Sequence, residues 1–151
     1  MDVSTFAEIK VEFMARVSAA IYCSMTTVDH RNRPRSRMMH PIWDDVISWV
    51  ISWPQSHKAK HLEHNPYVSL AYIQDKDKPV YVDCVAEWMN SESDKQHVWV
   101  LHQTIAPPLG FDPQPHYGSI HNQYYGVLKF TPWRIELANL GGEPLVWRKS
   151  R

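Results

Sequence analysis

Apolar residues recur along this chain with two different spacings, which separate predicted helices from predicted strands. Between Phe6 and Val17 they stand three or four residues apart, as on one face of a helix. Further along, short runs rich in apolar and β-branched residues are bounded by turns such as Asp29–Pro34 and Asp75–Pro79. The pattern predicts six or seven strands, at 19–28, 35–43, 46–53, 67–73, 80–89, 124–137 and 145–147.

Two more helices are predicted between these strands. One covers 57–64, after Ser56 as its cap, and the other covers 91–103 and begins at Ser91. Residues 106–122 contain four prolines and two glycines, so we expect an irregular loop there. Because most strands follow one another as hairpins, the sequence predicts a mainly β (α+β) fold whose six- to seven-stranded antiparallel sheet closes into a small barrel.

The composition argues against several classes of function. The 151 residues predict a single domain, 1–151, and the 16 basic residues balance the 16 acidic ones. A net charge of zero argues against a nucleic-acid or anionic-membrane binder, since such proteins present a field of one sign. No apolar run approaches the roughly 20 residues of a membrane span, and no signal peptide is visible, so we expect a cytoplasmic protein. Cys23 and Cys84 match no metal spacing and are expected to be buried free thiols.

The neutral total hides an uneven distribution of charge. Residues 30–64 contain six Lys and Arg against three Asp and Glu, whereas residues 75–95 contain three against six. On a strand Arg35 and Arg37 point to the same face, where they repel each other unless an anion or a carboxylate joins them. His57 and Lys58 lie in the first turn of a helix, where the helix dipole disfavours cations.

A phosphate between Arg37 and the start of the helix at Ser56 would relieve both conflicts, because free N–H groups at a helix N-terminus bind anions. The alternative interpretation is a solvated basic hairpin and helix. His57, His61 and His64 lie on one face of the same helix, a spacing that also suits a metal. No carboxylate or cysteine completes a ligand set, so we expect no metal site.

Several motifs resemble one known family. Pro34 and Arg37, Ile51-Ser52, and Ser56-x-Lys58 with the following Leu62, Asn65-Pro66 and Val68-Ser69-Leu70 resemble the flavin-binding split-barrel family of pyridoxamine 5′-phosphate oxidase-like proteins. Residues 110–113 and 130–135 are similar to the short general stress protein branch of that family. The resemblance extends from about residue 17 to residue 147 and implies a split β-barrel homodimer with FMN in a cleft at the subunit interface.

The resemblance also implies roles for individual residues. Arg37 and Lys58 would hold the FMN phosphate beside Ser56, and His57 stands where the oxidases commonly have arginine. The stretch formed by Met38, Met39, His40, Pro41 and Ile42 would follow the ribityl chain and the ring edge. Ile51 and Ser52 would meet the flavin ring. The deazaflavin F420 is an alternative cofactor, and no catalytic residue is assigned.

These implications predict an FMN-dependent oxidoreductase that acts on a small molecule of unknown identity. Residues Trp147–Arg151 lack the C-terminal substrate clamp of the oxidases, so vitamin B6 oxidation is not expected. The alternatives are a non-catalytic flavin-binding stress-response protein, an F420-dependent reductase and a haem-binding split barrel with a histidine axial ligand. The loop at 107–123 has no counterpart in the oxidases. His116 and His121 in this loop are candidates to line an opening over the flavin, as are Tyr117, Tyr124 and Tyr125.

Overall fold

A computed structural model describes residues 1–150. Arg151, the last residue of the segment without a substrate clamp, lies outside the described residues. Nine strands form, β1 Asp2–Val3, β2 Cys23–Val28, β3 Pro34–Met39, β4 Ile42–Asp44, β5 Ile47–Ser52, β6 Tyr67–Tyr72, β7 Val80–Trp88, β8 Gly126–Leu137 and β9 Leu145–Arg148. Four helices accompany them, α1 Ala7–Ala20, α2 His57–His64, α3 Glu92–Thr104 and α4 Gln114–Tyr117.

The strands form one mixed, predominantly antiparallel sheet in the order β1-β9-β8-β7-β6-β2-β3. The long strand β8 pairs with β7 along one edge, and its other edge pairs first with β5 and then with β9. β4 pairs with β5, so the sheet branches at β8 into β5-β4 and β9-β1, and β3 is the terminal strand at its other end. The chain crosses from β3 to β4 at His40-Pro41. This arrangement confirms the predicted α+β split-barrel fold.

The strand count and several boundaries differ from the prediction. α1 continues through Ala20, a strong helix former, and ends at Ile21 with a positive φ of 65°, so β2 begins four residues later than expected. The predicted strand at 35–43 is divided at Pro41, which lacks the N–H that a ladder requires. β1 has only two residues and pairs in parallel with β9, so the sheet is not wholly antiparallel.

The barrel core lies between α1 and the sheet. Phe13 is fully buried and packs edge-on against Trp43, whose indole N–H donates to the hydroxyl of Tyr72 at 3.0 Å. Cys23 and Cys84 are buried free thiols, as predicted, and burial raises the pKa of Cys23 to about 12. The core therefore needs no disulfide or metal in its interior.

A second apolar cluster joins α3 to the outer face of β5 and β8. It consists of Trp49, Val98, Trp99, Ile120, Tyr125 and Val127. Ser91 caps α3 by accepting a hydrogen bond from the N–H of Asp94 at 3.1 Å, as the sequence predicted. No helix in residues 1–150 is long and apolar enough to cross a membrane.

Candidate functional site

The side chain of Arg37 is fixed on the inner side of β3. Arg37 lies opposite Met25 in the β2–β3 ladder. One guanidinium nitrogen donates to the Thr27 hydroxyl oxygen at 2.7 Å and to the Met25 carbonyl at 3.3 Å. The guanidinium is therefore held by β2 and keeps its other N–H groups for a ligand.

A second hydrogen bond extends this contact to the helix α2. The Thr27 hydroxyl and the Nδ1 atom of His61 lie 2.8 Å apart. The hydroxyl has one donor and two acceptor positions, so it can bond to His61 Nδ1 while it accepts from Arg37. Thr27 is completely buried. The chain Arg37–Thr27–His61, which we call the Arg37 relay, joins β3, β2 and α2 through one buried hydroxyl.

The N-terminus of α2 lies at the same place and has no side-chain cap. Ser56 occupies the cap position in an extended conformation, but its hydroxyl accepts from the Lys58 ammonium at 3.0 Å instead of from a helix N–H. The first turn contains no acidic residue. Unsatisfied N–H groups and the positive end of the helix dipole therefore combine with the charges of Lys58 and Arg37.

Several positive charges lie close together in this cluster and lower one another's pKa values. Burial, and then the charge of Arg35, lower the pKa of Arg37. Burial, and then the charge of Arg37, lower the pKa of Lys58. Burial, and then the charge of Arg37, lower the pKa of His61. Within residues 1–150 no Asp or Glu forms an ion pair with any member of the group Arg35, Arg37, Lys58 and Lys60.

A concave basic pocket of about 230 Å³ adjoins this cluster. Its lining residues are Asp29, His30, Arg33, Arg35, His57, Lys60 and His61. Asp29, the single carboxylate in the lining, is bound to Arg33 Nε at 2.9 Å and to two backbone N–H groups. Its charge is thereby neutralised locally, and the pocket stays positive.

The remaining predicted ligand residues are divided between surface and core. Met38 is 66% exposed, whereas Met39 belongs to the buried barrel core. Pro41 and Ile42 are buried at the crossing from β3 to β4. Only Met38 therefore offers its whole side chain to a ligand lying along this stretch, while the others offer backbone or one edge.

His40 is the unusual member of the stretch. Its Nε2 atom is buried without a hydrogen-bond partner, and its ring lies 5.1 Å from that of Tyr22. Burial lowers its pKa, and a hydrogen bond with the Leu109 backbone opposes that shift. Beside it lies an apolar pocket of about 250 Å³, lined by Met14, Val17, Ser18, Pro41, Ile42, Trp43, Ile105 and Leu109.

Ile51 and Ser52 lie at the end of β5, and four residues join Ser52 to the start of α2. Ser52 is opposite Gly126 on β8, and a Cβ at Gly126 would lie 2.6 Å from the carbonyl oxygen of Ser52. A glycine is therefore required for this close approach. The side chain of Ile51 packs on the α3 cluster, so only its backbone is available on the other side.

The proline-rich loop packs mainly on α3 and does not present all the side chains suggested for it. Tyr125 is buried, with its hydroxyl donating to the Lys95 carbonyl, and the ring of Tyr117 packs 5.3 Å from it. The suggestion that Tyr125 lines an opening is therefore wrong. Leu109, near the beginning of the loop, does reach the apolar pocket beside His40.

Sequence reasoning placed Arg37, Ser56 and Lys58 in one predicted site. It missed Thr27, and it read His61 only as a surface or metal-ligand residue. A signal for Thr27 was present, because it is a polar residue on the inward-facing side of an otherwise apolar strand pattern. No local signal links it to His61, since the two are 34 residues apart.

Comparisons with known proteins agree with this arrangement. A family profile described as "Pyridoxamine 5′-phosphate oxidase" matches residues 9–137. The chain is similar to a solved protein related to general stress protein 26 from Clostridium acetobutylicum, with 14% identity, a TM-score of 0.73 and coverage of 95% of this chain and 96% of that one. No curated protein matches it.

Two further solved structures differ from each other in the ligand that they are named for. An FMN-binding protein from Nostoc punctiforme is 15% identical, with a TM-score of 0.71 and coverage of 98% and 92%. The haem storage protein HutZ from Vibrio cholerae is 18% identical, with a TM-score of 0.65 and coverage of 86% and 94%. At such identities these likenesses establish the fold alone.

Proposed function

The chain belongs to the pyridoxamine 5′-phosphate oxidase family, and from this premise we propose that it is a flavin-binding oxidoreductase acting on a small molecule. Arg37 and Lys58 bind the FMN phosphate at the start of α2. The observation that carries this proposal is the cluster of cations without ion-paired carboxylates beside an uncapped helix N-terminus. An anionic group fits that environment, because it satisfies both the charges and the free N–H groups.

The rest of the flavin follows from the position of the phosphate. Met38 and the backbone up to Ile42 would border the ribityl chain and one edge of the ring, and the backbone of Ile51 and the hydroxyl of Ser52 would border the other edge. The flavin itself supplies the redox chemistry when it is bound. The protein residues bind and orient it, and no acid or base is assigned.

Purification followed by mass spectrometry of the released cofactor tests this proposal. We expect a yellow protein that releases FMN on denaturation; release of F420 would instead identify the deazaflavin, which also carries a phosphate. Arg37→Gln should weaken FMN binding at least tenfold and leave riboflavin binding within twofold. The control Lys149→Gln removes an exposed cation elsewhere. Equal FMN affinity in Arg37→Gln and the unaltered protein would refute the phosphate assignment.

Catalysis and assembly are separate parts of the proposal. Stopped-flow reduction of the bound flavin by NADH and NADPH separates an oxidoreductase from a non-catalytic flavin binder, since a binder leaves the flavin oxidised. We propose a homodimer because Tyr22 and Met38, beside the flavin stretch, are more than half exposed. Light scattering after gel filtration measures the dimer. A cytoplasmic location is part of the same proposal.

Haem binding is the second candidate function. Its specific support is His40, whose buried Nε2 atom has no hydrogen-bond partner and whose neighbours in the chain, Pro41 and Ile42, line an apolar pocket. A histidine nitrogen is a common axial ligand of haem iron. Haem titration followed by absorbance at the Soret band tests it. A band that is lost in His40→Ala would support haem ligation, and the absence of any band would exclude it.

A further inference from the structure

The basic pocket beside the Arg37 relay has more positive charge than one phosphate at Arg37 and Lys58 requires. Arg35 and Lys60 line it and are not needed to satisfy that phosphate. Arg35 precedes Arg37 by two residues on the same face of β3, so the pocket continues the line of the phosphate site along the strand. The two sites are therefore neighbours on one concave surface.

No group among residues 1–150 neutralises this excess. Asp29 is the single carboxylate of the lining, and its oxygens are occupied by the guanidinium of Arg33 and by the N–H groups of Arg31 and Arg33. Arg35 and Lys60 form no ion pair with Asp or Glu among residues 1–150. Cations placed together in a concavity attract an anion, because low-dielectric walls concentrate their field.

The shape of the cluster is also held in place before any ligand arrives. His61 lines the pocket and is bonded through Thr27 to Arg37. The pKa of His61 is lowered by burial and then by Arg37, with Arg35 and His57 acting in the same direction and Asp29 opposing them. Groups on β3, on α2 and in the turn after β2 therefore lie close enough to His61 to change its pKa.

We infer that the basic pocket binds a second anionic group, a phosphate or carboxylate, immediately beyond the phosphate held by Arg37 and Lys58. This inference rests on the proposed flavin function for the identity of the first phosphate. The second anion has two possible sources, which share one chemistry: a longer cofactor that carries it covalently, or a free anion that binds next to FMN.

Titration of the flavin-free protein with FMN and with flavin adenine dinucleotide (FAD), which carries a second phosphate, tests the covalent source. We expect FAD to bind at least tenfold more tightly than FMN. Lys60→Gln and Arg35→Gln should each weaken FAD binding at least fivefold and change FMN binding less than twofold. Lys149→Gln is the matched control and should change neither.

Calorimetric titration of inorganic phosphate into FMN-saturated protein tests the free anion. Binding that is lost in Lys60→Gln, but kept in Lys149→Gln, would support the inference through that source. The inference is overturned if FAD has no advantage and phosphate does not bind, or if any binding observed is insensitive to Lys60 and Arg35.

Failure of the flavin proposal would look different. If neither FMN nor riboflavin binds, phosphate is titrated into the protein alone. A phosphate signal that depends on Lys60 would then support anion binding in the basic pocket and refute the flavin function. The absence of that signal would refute both.

Discussion

Replacing Thr27 with valine removes one hydroxyl group from the inner face of β2 and leaves the shape of the side chain nearly unchanged. That hydroxyl accepts from Arg37 at 2.7 Å and is bonded to His61 Nδ1 at 2.8 Å. Thr27 is completely buried, so no water reaches the position to replace it. The substitution therefore breaks the Arg37 relay without touching any atom expected to contact a ligand.

The size of the effect follows from what each partner loses. Arg37 keeps only its longer bond to the Met25 carbonyl, at 3.3 Å, and becomes free to change rotamer. Ordering one such side chain on binding costs about 0.5–1.5 kcal/mol, which is about a 2- to 12-fold loss of FMN affinity at 1.4 kcal/mol per factor of ten. His61 loses its hydrogen bond as well, and the free energy of unfolding should fall by about 1–3 kcal/mol.

Quenching of flavin fluorescence measures the affinity, and urea denaturation measures the stability. Riboflavin lacks the phosphate, so its affinity for Thr27→Val should remain within twofold of that for the unaltered protein. Thr26→Val is the matched control, because the Thr26 hydroxyl bonds to Ser36 at 2.9 Å on the opposite face of the same strand.

The reasoning would be refuted by a Thr27→Val protein that binds FMN as tightly as the unaltered chain. It would also be refuted by equal losses for FMN and riboflavin, since the effect would then not act through the phosphate. A loss of similar size in Thr26→Val would indicate a general weakening of the β2–β3 hairpin instead of a broken relay.

Three further predictions concern stability. Phe13→Ala should cost about 3–5 kcal/mol because the ring is fully buried against Trp43, whereas Val11→Ala on the exposed side of α1 should stay within about 0.5 kcal/mol in the same urea titration. Burial lowers the pKa of His102, so the unfolded chain binds more protons than the folded one near pH 6.5. The free energy of unfolding should therefore fall as the pH is lowered from 7.5 to 5.5. His102→Gln should reduce that dependence, and an unchanged pH slope would contradict the assignment. Gly126→Ala should cost about 1–3 kcal/mol, because its Cβ would meet the Ser52 carbonyl oxygen at 2.6 Å, and an unaltered denaturation midpoint would show that the close approach is not real.

Most of the barrel could be predicted from local patterns. Alternating apolar positions and turn residues located the hairpins, and α2, β6, β7 and α3 begin within one or two residues of the predicted positions. The errors lie where local preference and tertiary pairing compete, as at Ala19–Ala20, which continue α1, and at Pro41, which divides a predicted strand. β1 was missed because two residues carry no periodicity and its partner β9 lies more than 140 residues away.

The candidate site, like the fold, has a part that local sequence patterns predict and a part that depends on tertiary contacts. The sequence by itself placed Arg37 within a strand and Lys58 at a helix start, because these are local properties, and from them it predicts one anion site. Only the tertiary structure decided what holds Arg37, since Thr27 and His61 come from two other elements and meet through the register of β2 and β3 and the packing of α2 on β2. That register also decided that Arg35 and Lys60 border one pocket. Such contacts depend on which strands pair and in what alignment, a cooperative result of burying the whole core that no short segment encodes.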